Sequence, residues 1–312
     1  MREAHSQKGS ATIMALIVVS LISICIASLV WQQDFEIRKT RIYKENTQVY
    51  WLQRSLIDVV RLILRIDLQN SQGIDHLGEI WALPIENSSI EDFLKNQDLP
   101  EELKSVKFSG WIQDAQALFN ISNLWDANLN TPNLIAIQTY GNLLEQLGLN
   151  KGLANQTAQF VLRNNLQLQY LDELLNVPGY TSDMIKKISQ FAIVLPEPTS
   201  INLNTTSVEV LLAIWPSLSP ADAMKLIQLR LSAPLKSQSD ITQLLSKIQP
   251  NKTLDASSAV GVKSDYWLAN TNMLIDRRNL NTQTLIKRFT TRQSDNNFTT
   301  VLWSKQKVTQ VK

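Results

Sequence analysis

The sequence predicts an α+β chain. A long N-terminal transmembrane and spine helix packs on an antiparallel sheet, and a large all-α insertion of helix-hairpin-helix or SAM-like character interrupts that sheet. Three observations carry this prediction. An uncharged apolar run opens the chain and passes, without Gly or Pro, into a helical pattern. Strand-like alternation occurs once near residue 110 and returns after residue 260. Between these two places the pattern is helical, punctuated by short Pro- and Gly-containing turns.

The first element is the apolar run. No charged side chain occurs from Gly9 to Gln33. Ser10 to Trp31 would span about 33 Å as a helix at ~1.5 Å per residue, which matches the ~30 Å hydrocarbon core of a bilayer. Arg2 and Lys8 precede it, so the short N-terminus stays cytoplasmic and the bulk is exported. A cleaved secretory signal is the plain alternative, with Cys25-Ile26-Ala27 as the processing site and Ser28 as the new N-terminus. The continuation argues against it. Val49, Leu52, Leu56, Val59, Ile63 and Ile66 recur at three- and four-residue steps, so an amphipathic spine over 32–72, helical to about Leu68, is expected to follow the membrane segment of 10–31.

Residues Gly73 to Pro100 read as loop. Val106, Phe108, Gly110 and Ile112 alternate as a strand. From about Thr131 to Ile248 helices alternate with turns at Gly148-Leu149-Asn150, Pro178-Gly179, Pro196-Glu197-Pro198, Pro216 and Pro234. Two stretches there, around Pro178 and Pro216, share an order of helix, Pro-containing turn, Ser or Thr cap and helix. Three strands close the chain. Trp267, Ala269, Thr271, Met273 and Ile275 share a face of the first, 279–292 and 296–304 form the others, and Asp295-Asn296-Asn297 turns between them. The polar residues 305–312 are expected to fray. The core is therefore 73–119 with 261–304, and the insertion is 120–260.

Composition excludes several function classes. The chain has 312 residues, 44% hydrophobic and 19% charged, with a net charge of +2. That is too apolar and too near neutrality for a disordered chain. One Cys and two His leave no disulfide framework and little material for a Cys or His metal site or a Ser-His-Asp triad. No nucleophile stands in a catalytic setting, so no catalytic residue is assigned.

Three candidate sites compete with plainer readings. The hairpins could grip DNA phosphate, but only the first has a Gly, Gly179, and Lys186, Lys187, Lys225 and Arg230 form no basic patch. A structural use is favoured, with a membrane-anchored helix-hairpin-helix DNA-binding protein as the alternative. Ser200 to Thr206 could ligate a cation, but such residues more often cap a helix, here one starting near Ser207. Asp172-Glu173, Asp240 and Asp265 are too scattered for calcium, which wants six to eight oxygens. His76 beside Asp75 and Glu79 reads as a surface hydrogen-bond partner.

Several motifs, in order along the chain, resemble one family. Lys8-Gly9-Ser10 before an apolar run and a long amphipathic helix resembles the start of a type IV prepilin or pseudopilin. Asp75-His76-Leu77-Gly78-Glu79-Ile80-Trp81-Ala82 resembles the stretch leading into the first strand in type II secretion system protein K, a minor pseudopilin. Ile112 to Asn120, with Asp114, Phe119 and Asn120, resembles its "I-x-D-x-Q-x-x-F-N" signature. Thr199 to Thr206, with Asn202, Asn204 and Thr205, resembles "T-x-I-N-x-N-T-A", Thr206 replacing the small residue. Ser264-Asp265-Tyr266-Trp267 and Val301-Leu302-Trp303-Ser304 resemble its closing strands.

The resemblance implies a prepilin leader of residues 1–9, cleaved by prepilin peptidase between Gly9 and Ser10. Position five of the mature chain is Met14 where major pilins carry Glu, which suits a filament tip. It implies a pilin-like sheet core and a place at the tip of the pseudopilus with the I and J subunits. It also implies residence in the inner membrane, a periplasmic head, and no enzymatic or nucleic-acid role. Calcium is bound in the insertion of family members. Here the acidic loop is shortened, so no cofactor and no metal ligand is assigned.

Overall fold

The computed structural model describes residues 8–71, 73–89, 107–126, 131–164, 166–248, 259–275, 278–289 and 298–310. Two compact units arise, Met1–Leu56 and Ile57–Lys312. The helix α1 runs Lys8–Asn70, as its lack of Gly and Pro predicts.

In the first unit the apolar side chains of α1 are exposed, from Ile13 and Met14 through Val30 and Trp31. Two hydroxyls in the apolar run are satisfied within the helix, Ser20 Oγ donating to Leu16 O and Ser23 Oγ to Val19 O, both at 2.8 Å. A helix whose polar groups close on themselves suits a hydrocarbon surrounding. By length and composition α1 can cross a membrane.

The second unit is built on one antiparallel sheet. Its strands are β1 (Ile85–Ser89), β2 (Lys107–Asp114), then, after the insertion, β9 (Tyr266–Ile275), β10 (Arg278–Arg288) and β11 (Thr299–Gln310). The order is β1-β2-β9-β10-β11. Strands β2 and β9 are neighbours, with Asp114 opposite Trp267. The chain therefore leaves the sheet and re-enters it at adjacent positions, which keeps the loop-closure cost of a long insertion small.

Both faces of β9 are covered, and alternation sorts its side chains. Trp267 and Ala269 pack with Val60, Leu64, Trp81 and Ile286 beneath the end of α1. Tyr266 and Leu268 face Ala115, Leu118, Ile193, Leu195 and Leu285 at the root of the insertion.

The insertion holds the short strands β3 (Phe119–Asn120), β4 (Trp125–Asp126), β5 (Thr131–Pro132), β6 (Ala192–Ile193), β7 (Ile201–Asn202) and β8 (Val260–Gly261). Its helices are α2 (Leu134–Gln146), α3 (Gly152–Asn164), α4 (Ser182–Ile188), α5 (Val208–Ile214), α6 (Pro220–Ser232) and α7 (Gln238–Ile248). The two hairpins have the predicted caps. Thr181 Oγ1 accepts from Met184 N at 3.4 Å before α4, and Ser219 Oγ from Asp222 N at 3.1 Å before α6, where Pro220 takes the first helical position. The first hairpin turns at Gly179, whose φ of 100° suits only glycine.

The structure corrects three expectations. The loop-rich stretch contains the edge strand β1, which pairs with β2 through Ile85 opposite Gly110. The tail does not fray after Ser304, because β11 continues to Gln310 opposite Arg278. Its polar residues face equally polar partners, Lys305 opposite Gln283 and Lys307 opposite Asn281, so their polarity marks an exposed sheet and not its end. Third, the sheet buries Val60, Leu64 and Asp67 of α1, while Val59 and Ile66 stay exposed. Apolar residues occupy two adjacent faces of this helix, and the shape of the sheet selects between them. Val106 and the turn at 295–297 lie outside the described residues.

Candidate functional site

Two features stand out, an exposed apolar helix in the first unit and a buried polar joint in the second. Gly9 and Ser10 lie in the first turn of α1. Met14 is 68% exposed one turn further on.

The joint is centred on Asp114, the last residue of β2, which is buried. Its Oδ2 accepts from Ser264 Oγ and Thr205 Oγ1, each at 2.6 Å, and from Asn202 Nδ2 at 2.9 Å. Its Oδ1 accepts from Gln116 N at 2.8 Å. Burial pushes this carboxyl up to about 6, against the pull of these hydrogen bonds. Asn202 Nδ2 also reaches Asp75 O and Ser264 Oγ, both at 3.0 Å, and its Oδ1 accepts from Asn204 N at 3.0 Å. Asn204 then pairs with the backbone of Leu235 in both directions, at 2.9 Å each.

The end of the first signature extends the joint. Asn120 donates to Glu197 O at 2.8 Å and accepts from Leu195 N and Ser122 N at 3.1 and 3.0 Å. Phe119 stacks on Tyr140, rings 5.3 Å apart and 8° from parallel. Asp114, Asn202, Asn204 and Thr205 thus meet in space, while Phe119 and Asn120 anchor the adjoining core. The Asn and Thr residues do not cap α5. Ser207 does, accepting from Val210 N at 3.4 Å, and the others bind the sheet and the loop backbone.

Two features of this joint escaped the sequence reading. Asp75 is 2% exposed, not a surface residue, and Arg288 of β10 donates to it and to Asp67 Oδ2 at 2.7 Å. The available signal was Asp67, which continues the spacing of Val60 and Leu64 and so places an acid on a buried face. His76 is partly exposed, with Nδ1 accepting from Gly78 N at 3.1 Å. The second feature is Arg230, buried on α6, which donates to Leu203 O and Thr206 O. Burial without an acid draws it down to about 10.

The acids weighed for calcium are dispersed, and Asp172, Glu173 and Asp240 each accept from a donor. Asp172 holds Lys305 at 3.0 Å, Glu173 accepts from Gln169 N at 3.0 Å, Asp240 from Lys236 N at 2.9 Å, and Asp265 lies at the sheet. These residues do not fit a six-oxygen calcium site.

The fold so described joins a long apolar helix to an antiparallel sheet that an internal helical domain interrupts. The comparisons make this particular. The family model "Type II secretion system (T2SS), protein K" matches residues 201–263, the stretch that begins at β7 and ends beside Ser264. Type II secretion system protein K of Pseudomonas aeruginosa is 27% identical over 313 residues, 90% of this chain and 89% of that protein. The protein K of Aeromonas hydrophila is 23% identical over 124 residues, 40% of this chain and 34% of that one. A chain in the crystal structure of the GspK-GspI-GspJ complex from the enterotoxigenic Escherichia coli type 2 secretion system has the same fold. Its TM-score is 0.67 at 19% identity, covering 86% of this chain and 99% of that chain. The resemblance to type II secretion protein K holds in similarity over 90% of the chain and in fold.

Proposed function

We propose that this protein is a minor pseudopilin of a type II secretion system that forms or initiates the tip of the pseudopilus and so supports protein export across the outer membrane. The observation that carries this is the pairing of an exposed, membrane-length apolar helix with a head of the protein K fold. The solved relative occurs with GspI and GspJ, and the corresponding I and J subunits are the partners proposed here. The apolar helix holds the chain in the inner membrane before assembly. The head lies in the periplasm and works by packing, without catalysis. Burial of apolar helix surface drives assembly, at ~25 cal/mol per Å² as an upper figure. The internal bonding of Asp114 and its partners keeps the insertion fixed to the sheet, so the tip presents one defined surface.

The test is the mass of the mature N-terminus after co-expression with a prepilin peptidase. A methylated Ser10 is expected. A chain starting at Ser28 would make it an ordinary secreted protein, and an intact Met1 would remove the pseudopilin reading. Binding of the full chain to duplex DNA at low salt would favour the DNA-binding alternative.

A further inference from the structure

The ion cluster at the end of α1 is unequal in charge. Asp67, three residues before Asn70, meets Asp75 and Glu79 of the following loop, their carboxylate oxygens within 4.8 Å of one another. A single guanidinium, Arg288 from β10, is seated among them. It donates to Asp67, to Asp75 and to Ser264 O. Glu79 is held in place by Trp81 Nε1 at 2.7 Å and His76 N at 2.9 Å. Asp67, Asp75 and Arg288 are all buried. With every carboxyl ionised the cluster carries three negative charges against one positive, in surroundings where unbalanced charge is costly.

Asp67 is the member least able to keep its charge. It stands in the last turn of a helix, where the exposed carbonyl ends oppose a negative group. Burial first, and then repulsion from Glu79, push it up to about 6 despite Arg288. Burial raises Glu79 as well. The other charged or titratable groups facing this place are Asp265, which repels Asp75 and is drawn by Arg288, Asp114, which repels Asp75, and His76 and Lys236, on the wall of an adjoining cavity of about 510 Å³ that Asp67 and Glu79 also line.

We propose that Asp67, Asp75, Glu79 and Arg288 form a proton-operated joint: on mild acidification Asp67 takes up one proton, the charge excess falls from two to one, and the last turn of α1 is held more firmly to the 75–79 loop and β10. Near neutral pH the same joint is looser. The idea rests on the cluster alone and does not depend on the secretion role.

The test uses the full chain in detergent micelles, unfolded in urea at pH 5.0 and 7.5 and followed by tryptophan fluorescence. Trp81 and Trp267 lie in the joint, their rings 4.6 Å apart and Arg288 4.6 Å over Trp267. A carboxyl whose value is about 6 folded and 3.8 unfolded gains about tenfold in the folding equilibrium constant between these pH values. Asp114, raised by burial in the same way, adds its own gain in both chains, so Asp67→Asn should show a pH-dependent gain about tenfold smaller than wild type, and this difference should persist in a His76→Gln background. Glu79→Gln removes the repelling neighbour, so the pH midpoint of the effect should move down. An Asp67→Asn chain with the wild-type pH dependence overturns the proposal. So does a Glu79→Gln chain with an unmoved midpoint, which remains readable if Asp67→Asn does not fold.

Discussion

Replacing Asp114 with Ala would test whether the insertion is fixed to the sheet by one carboxylate. Four donors would lose their acceptor, but not all would be stranded. Thr205 Oγ1 already lies 3.3 Å from Asn202 O and can turn to it. Asn202 Nδ2 keeps Asp75 O and Ser264 Oγ. The N–H of Gln116 and the hydroxyl of Ser264 have no alternative of that kind. Each hydrogen bond to a charged group is worth roughly 1.5–3 kcal/mol, so the two give about 3–6 kcal/mol. Removing a carboxyl that burial has already pushed up returns part of this, and we expect a net loss of about 3 kcal/mol against a total stability of roughly 5–15 kcal/mol. Urea unfolding of the full chain in detergent at pH 7.5 measures it. Hydrogen exchange should show protection lost first at residues 202–206 and 264–265. A double-mutant cycle with Ser264→Ala should give a coupling near 1–2 kcal/mol. A loss under about 1 kcal/mol with no coupling would refute the reasoning.

Two further predictions concern the sheet. A chain ending at Ser304 removes the partners of Arg278 to Gln283, so exchange protection should fall at Asn281 and Gln283, which alternate towards β11, and persist at Leu280 and Thr282, which share with Arg288 the side that faces β9; unchanged protection at Asn281 would show that residues 305–310 contribute no pairing. Glu197 accepts from Lys287 at 2.5 Å and Tyr266 Oη at 2.6 Å, and these hydrogen bonds hold its carboxyl below the usual range. A lowered value means stability present above about pH 4.5 and lost as pH falls through the folded value. Because Glu197 is half exposed, Glu197→Gln should cost under ~1 kcal/mol at pH 7, with the difference from wild type vanishing once the pH has fallen below the lowered folded value. A difference that persists there would contradict the ionic reading.

Much of the architecture was legible because it rests on local patterns. The strand β9 alternates from Tyr266 to Ile275, the caps Thr181 and Ser219 announce the helices that follow them, and residues 11–72 lack any helix breaker. The signature residues were legible as a set, but their role was not. Asn202 looked like a cap because Asn and Thr often bind their own backbone, whereas its partners here lie 62 to 127 residues away in sequence. Strand β11 was cut short because polarity was taken for an end, although an edge strand needs only a partner on one side.

The sequence by itself determined the apolar helix, the order of strands around an insertion, and the scarcity of reactive side chains, since length, periodicity and composition act within a few residues. Only the tertiary structure decided which face of α1 is buried and that Arg288 gathers Asp67 and Asp75 across 221 and 213 residues. A buried ion cluster leaves no period in a sequence. It forms where the folded backbone brings charges together and excludes the water that would otherwise separate them.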